Sequence, residues 1–142
     1  MQDDRRNKVI IMGAAGRDFH NFNVVFRNDP LTRVVAFTAA QIPDIAGRTY
    51  PPVLSGPLYP NGIPIVAESE LLSLIKRDRL NWVYFSYSDV SHQDVMHTAS
   101  TVLAAGANFA FLAPESTAIA PSKPVISVCA VRTGVGKSSA TC

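Results

Sequence analysis

Short apolar strands alternate with amphipathic helices along this 142-residue chain. That alternation predicts an α/β fold with a doubly wound, mostly parallel sheet in three layers, α/β/α. Two glycine-rich corners refine the expectation. Gly13-Ala14-Ala15-Gly16 follows the first apolar strand and opens a helix, as Rossmann-like units do. Arg132-Thr133-Gly134-Val135-Gly136-Lys137-Ser138 follows the last apolar strand, residues 124–131, in the manner of a nucleotide-phosphate loop.

The elements follow in order. Residues 8–12 form the first strand. The helix after the corner runs to about Arg27, with Phe19, Phe22 and Phe26 on one face, and Asp29-Pro30 ends it. Residues 33–38 are the second strand. Residues 39–62 form a long connection with five prolines and no helical period. Residues 63–66 are a short third strand. Residues 68–78 form a helix with acids first and Lys76 and Arg77 last, as the helix dipole favours. Residues 81–86 are the fourth strand. Ser91 caps the next helix in a Ser-x-x-Asp arrangement with Asp94. Val95, Ala99, Val102 and Leu103 are its apolar stripe, and Gly106 stops it. Residues 108–112 are the fifth strand and 114–123 a connector. The expected organisation is a Rossmann-like domain over residues 1–122, then the start of a P-loop NTPase domain over 123–142.

Composition sets the class. Apolar residues make up 47% and charged residues 17%, as in ordinary globular proteins. The net charge of +2 carries no general nucleic-acid footprint, so nucleic acid is not expected as a partner. No stretch reads as a membrane span, and the polar N-terminus does not read as a secretory signal. Cys129, in an expected buried strand, and Cys142 suit a reducing, cytoplasmic setting. Self-association stays open.

Four constellations carry candidate chemistry. At the first corner, Gly13, Ala14, Ala15 and Gly16 would present backbone amides to an anion at a helix start. Arg17, Asp18, His20 and Asn21 follow as its polar company. A plain strand-to-helix turn with a surface arginine is the alternative. Gly-x-x-Gly is not a full dinucleotide fingerprint, and the second strand ends without the acid that an NAD ribose wants. In the long connection, Arg48 and Tyr50 are candidate substrate-gripping residues, against the alternative of a proline-pinned structural arm or subunit contact. Ser86, Ser88, Asp89 and His92 close the fourth strand. A doubly wound sheet places them opposite the first corner, with Asp89 and His92 as candidate proton-handling groups. The last constellation is the terminal loop, residues 132–139. Gly134 and Gly136 permit close phosphate approach, Lys137 meets the β/γ-phosphates and Ser138 ligates Mg²⁺; Arg132, Thr133, Val135 and Ser139 complete the loop. Val131 stands where the usual P-loop pattern has its first glycine.

Together, residues 13–22, 46–52, 87–92 and 123–138 resemble the cyclic 2,3-diphosphoglycerate synthetase family, whose members often carry a GTPase label. The resemblance implies a Rossmann-like domain followed by a P-loop NTPase domain. It also implies an activity that uses ATP or GTP with Mg²⁺ to close an intramolecular phosphoanhydride. It makes a small phosphorylated or otherwise anionic substrate the expected partner, lying between residues 13–17 and 86–92. Measured against that plan, the chain ends just after its phosphate loop, and this portion alone is expected to be inactive. An NAD(P)-binding oxidoreductase-type Rossmann domain is the rival enzyme reading. A ligand-sensing module that regulates an attached NTPase is the non-enzymatic one.

Overall fold

The computed structural model describes residues 6–13, 16–40 and 47–125. Six strands form one sheet: β1 (Asn7–Met12), β2 (Thr32–Ala39), β3 (Thr49–Tyr50), β4 (Ile63–Ala67), β5 (Trp82–Phe85) and β6 (Asn108–Ala110). Their order across the sheet is β3-β4-β2-β1-β5-β6. All neighbours are parallel except β3, which runs antiparallel to β4. This is the mostly parallel, Rossmann-like α/β fold that the alternating pattern predicts. β1 lies between β2 and β5, so the strand order reverses there and a crevice opens at the carboxyl ends of β1 and β5.

Burial on both faces explains the continuous apolar run Val9-Ile10-Ile11-Met12 in β1. Val9 and Ile11 pack with Phe22, Phe26, Val34 and Phe37 on one face. Ile10 and Met12 pack with Leu71, Leu74, Ile75, Val83 and Val102 on the other. A register shift between Val9 and Ile10 against β2 lets Val34 and Phe37, three residues apart, share the first face.

The first helix, α1 (Arg17–Asn21), continues as a π-helical turn over Phe22–Phe26, closed by the Arg27 N–H bonding the Phe22 carbonyl at 2.8 Å. On the opposite face, a 3₁₀ turn at Glu68–Glu70 leads into α3 (Leu71–Asp78), and α4 (His92–Ala104) follows β5. Ser91 caps α4 as its spacing predicts, accepting the Asp94 N–H at 3.1 Å. The expected apolar stripe of α4 is narrower than four residues. Ala99 and Val102 are buried and Val95 is half-buried, but Leu103 points outward. One residue turns a helix by about 100°, so Val102 and Leu103 cannot both face the sheet.

Residues 47–62 of the long connection are more ordered than their composition implies. They hold the edge strand β3 and a single turn, α2 (Pro52–Ser55), with Pro52 at the first helical position. The Tyr50 ring stacks on Phe19 with centroids 4.8 Å apart. The Tyr59 hydroxyl accepts the Val34 N–H at 3.1 Å, and the Arg27 guanidinium donates to the Leu54 carbonyl at 2.9 Å. The segment is therefore a structural arm pinned to the sheet and α1. The connector after β6 holds another single turn, α5 (Pro114–Thr117).

The tightest point of the arm is Gly62, at φ +74° just before β4. A Cβ there would collide with the Tyr50 carbonyl and lie 2.7 Å from Thr49 Cγ2. Gly62→Ala is expected to destabilise the chain by about 2–3 kcal/mol in urea unfolding. A loss below about 0.5 kcal/mol would show that β3 does not depend on this close approach.

Candidate functional site

The crevice between β1 and β5 is built from both strand ends and the start of α1. The Ser86 N–H bonds the Met12 carbonyl at 3.0 Å, which sets the two strand ends side by side. Gly13 follows at φ +128°, a conformation only glycine adopts readily, and a Cβ on it would lie 3.3 Å from Asp18 Cβ and 3.7 Å from Ser86 Cβ. The backbone conformation, with this close approach to Asp18, is why glycine is needed.

The expected anion cradle takes a different form. The Gly13 N–H is engaged by the Thr38 carbonyl at 3.0 Å. The Gly16 N–H is engaged by the Asp18 carboxylate at 2.7 Å. Asp18 is 1% exposed, so a buried carboxylate occupies the space in which a phosphate would sit. Like charge and the used amides correct the reading of Gly13, Gly16 and Asp18 as anion ligands. Ala14 and Ala15 lie outside the described residues. Arg17 is exposed at the helix start. His20 is committed elsewhere, its Nε2 lying 2.8 Å from the Thr117 carbonyl; that nitrogen is the protonated one, since a carbonyl only accepts.

What converges instead is a set of neutral polar groups and acceptors. Asn21 is buried, and its Nδ2 donates to Ser86 Oγ at 2.9 Å. Its Oδ1 is also buried and has no hydrogen-bond partner. A buried carboxamide oxygen left unmet costs about 1–3 kcal/mol, a strain common at ligand sites. Beyond Ser86 the chain turns through Asp89, held at φ +60°, into the cap of α4. Ser88, Asp89 and His92 are exposed on this rim, so the candidate proton-handling groups sit at the mouth of the crevice and not inside it.

The long connection contributes less than its residue types promise. Arg48 is exposed and its carbonyl accepts the Ile65 N–H at 2.8 Å, which fixes it on the outer edge of the sheet. β4 and β2 stand between it and the crevice, a distance of roughly 14 Å at ordinary strand spacing, which removes it as a clamp on a crevice ligand. Tyr50 is a core residue: 6% exposed, stacked on Phe19 and hydrogen-bonded to Asn23 Nδ2 at 3.1 Å. Packing, not substrate contact, accounts for it. The terminal loop residues Arg132, Thr133, Gly134, Val135, Gly136, Lys137, Ser138 and Ser139 lie outside the described residues.

One polar pair is not legible in the sequence. The Tyr87 hydroxyl donates to Glu68 Oε2 at 2.8 Å, reaching from the end of β5 to the end of β4. The two are 19 residues apart and share no motif; only the strand order brings them together. Burial, followed by the bond to Glu68 and its charge, raises the Tyr87 pKa far above the ordinary tyrosine value. Glu68 also borders a cleft of about 430 Å³ lined by Ala39, Ala40, Ala67 and Ser69. No helix among the described residues is long and apolar enough to cross a membrane.

No family model matches the chain. It is 59% identical over 138 residues to arginine synthetase ArcE of Thermococcus kodakarensis, an alignment that takes in 97% of this chain and 31% of that protein. The chain thus spans about a third of the length of the curated relative it matches. The relative is a synthetase by name, though not a cyclic 2,3-diphosphoglycerate synthetase. Among solved structures, the fold is similar to RSP, a Rex-family repressor, with a TM-score of 0.58 and 14% identity over 85% of this chain and 50% of that one. RSP in complex with β-NADH gives a TM-score of 0.57 at 14% identity, covering 84% and 49% of the two chains. RSP with β-NAD⁺ and operator DNA gives 0.54 at 11% identity, covering 75% and 51%. The last of these corrects the exclusion of nucleic acid drawn from net charge: this fold occurs in a chain held on operator DNA. At these identities the likeness shows the fold alone.

Two outcomes test this geometry. Removing the Gly16 acceptor by Asp18→Ala should cost about 1–2 kcal/mol in thermal unfolding, and millimolar phosphate should leave the wild-type midpoint where an equal ionic strength of chloride does. A phosphate-specific rise would restore the anion cradle. For Tyr87, the raised folded pKa means that the folded chain holds its proton more tightly than the unfolded one. Stability is therefore unaffected below pH 10 and falls as pH climbs past it, by up to about 1.4 kcal/mol per pH unit. Tyr87→Phe should unfold at lower temperature at pH 7 and lose less between pH 9 and 11. Parallel curves would show that Tyr87 titrates normally.

Proposed function

We propose that this chain is the N-terminal, Rossmann-like part of an ATP-dependent synthetase whose product is arginine or a closely similar guanidino amino acid. The observation that carries the proposal is 59% identity across 97% of the chain to a protein named for that activity. The crevice chemistry agrees with it. A guanidino or ureido group is rich in N–H donors. The β1–β5 crevice offers the buried Asp18 carboxylate nearby, Ser86 Oγ and the unmet Asn21 Oδ1. A diphosphorylated glycerate would bring several negative charges to the same place. For the cyclic phosphoanhydride activity implied by the family resemblance, the corner is electrostatically unsuited.

A guanidino group differs from a ureido group by one nitrogen in place of one oxygen. An ATP-driven synthesis therefore transfers a phosphoryl group to the ureido oxygen, releasing ADP. Ammonia then adds at the carbon, and the oxygen leaves in inorganic phosphate. Lys137 and Ser138 of the terminal loop would hold the nucleotide phosphates and Mg²⁺, as their motif suggests. The described residues would bind and orient the amino acid, with Asp89 and His92 at the rim placed to accept the proton that ammonia gives up.

The full-length protein, given ATP, Mg²⁺, an ammonium salt and the ureido amino acid citrulline, is expected to yield arginine and phosphate in equal amounts. Release of phosphate only with 2,3-diphosphoglycerate, and no arginine, would reverse the assignment.

A further inference from the structure

The cleft at the carboxyl ends of β2 and β4 has no assigned role, and its chemistry is unlike that of the crevice. Among the described residues its walls are the small Ala39, Ala40, Ala67 and Ser69, and its charged group is Glu68. Glu68 is half-buried, and no lysine, arginine or histidine among the described residues forms an ion pair with it. Its hydrogen-bond partner is the neutral Tyr87 hydroxyl, which donates to Oε2. Glu70, in the same helical turn, adds negative charge and no compensation. A second group stands at this strand end: Thr38 Oγ1, fully buried beside the Tyr87 hydroxyl, has no other hydrogen-bond partner.

We infer that this cleft is a binding site for a primary ammonium group, with Glu68 as the acceptor, and that in the synthetase it takes the α-ammonium of the amino-acid substrate. The identity of the ligand rests on the proposed function; the preference for a cation does not. Charge separates the possible occupants. A neutral hydroxyl would gain one hydrogen bond to Glu68, whereas an ammonium also gains the attraction of opposite charges in a partly screened site. An anion is repelled. Tyr87 supplies the counterpart of ligand entry. Its single proton serves Glu68 while the cleft is empty, and it can turn to the waiting Thr38 oxygen when an ammonium takes the carboxylate. The separation suits one ligand bridging both places, since β4 lies two strands, about 10 Å, from β1.

The test is a titration of the chain followed by the backbone amide signals of Ala40, Glu68, Ser69 and Tyr87 in NMR spectra. The probes are L-arginine, L-lysine and Nα-acetyl-L-arginine. Glu68→Gln keeps an acceptor for Tyr87, and its spectrum away from the cleft reports that it folds. L-arginine should shift the four signals in the wild type and bind at least tenfold more weakly to Glu68→Gln, while the acetylated probe, lacking the ammonium, should not distinguish the two proteins. Glu68-dependent binding of lysine without arginine would keep the site and discard the arginine assignment. Binding of arginine that is indifferent to Glu68 would discard the site and keep the assignment. No shift with any probe overturns the inference.

Discussion

The carboxylate of Asp18 lies against the backbone where β1 passes into α1, accepting the Gly16 N–H and filling the space beside Gly13. The site depends on this contact. It leaves a Cβ at position 13 only 3.3 Å from the Asp18 side chain, on a backbone at φ +128° that side chains rarely adopt. It also places negative charge at the start of α1, where the fold would otherwise offer positive potential. A helix start that carries its own acid no longer recruits anions.

Around that corner the polar groups fall into two sets, separated by the width of two strands. Asn21 and Ser86 join α1 to β5 in the crevice, and Tyr87 joins β5 to Glu68 beyond β2. Both sets lie at carboxyl strand ends, where parallel sheets leave room because the connecting helices fold back on either face. The buried oxygens of Asn21 and Thr38 belong one to each set. Buried polar atoms without partners are uncommon in folded proteins. The opposite long edge, at β3, is occupied by the proline-rich arm, whose aromatic contacts with α1 serve stability.

Much of the architecture was legible from local pattern. The apolar run in β1, the Ser91–Asp94 cap and the Gly106 stop are each decided by residues within a few positions of one another, so periodicity and capping chemistry suffice. The crevice opposite Gly13 was legible too, because strand-order reversal follows from the winding. The roles of Arg48, Tyr50 and Asp18 were not. An arginine, a tyrosine and an aspartate have the same composition whether they grip a ligand, stack in a core or cap a neighbouring amide, and the difference lies in where their backbones are held.

By itself, then, the sequence determined the α/β class, the succession of elements over the described residues and the glycine corner after β1, because these arise from short-range sterics, hydrogen bonding and the burial of periodic apolar faces. Only the tertiary structure decided the sign of the charge at the first corner, the commitment of His20 to Thr117 and the meeting of Tyr87 with Glu68. Those depend on strand order and on the direction of individual side chains. Electrostatics between residues distant in the chain acts through space, and no spacing along the chain encodes it.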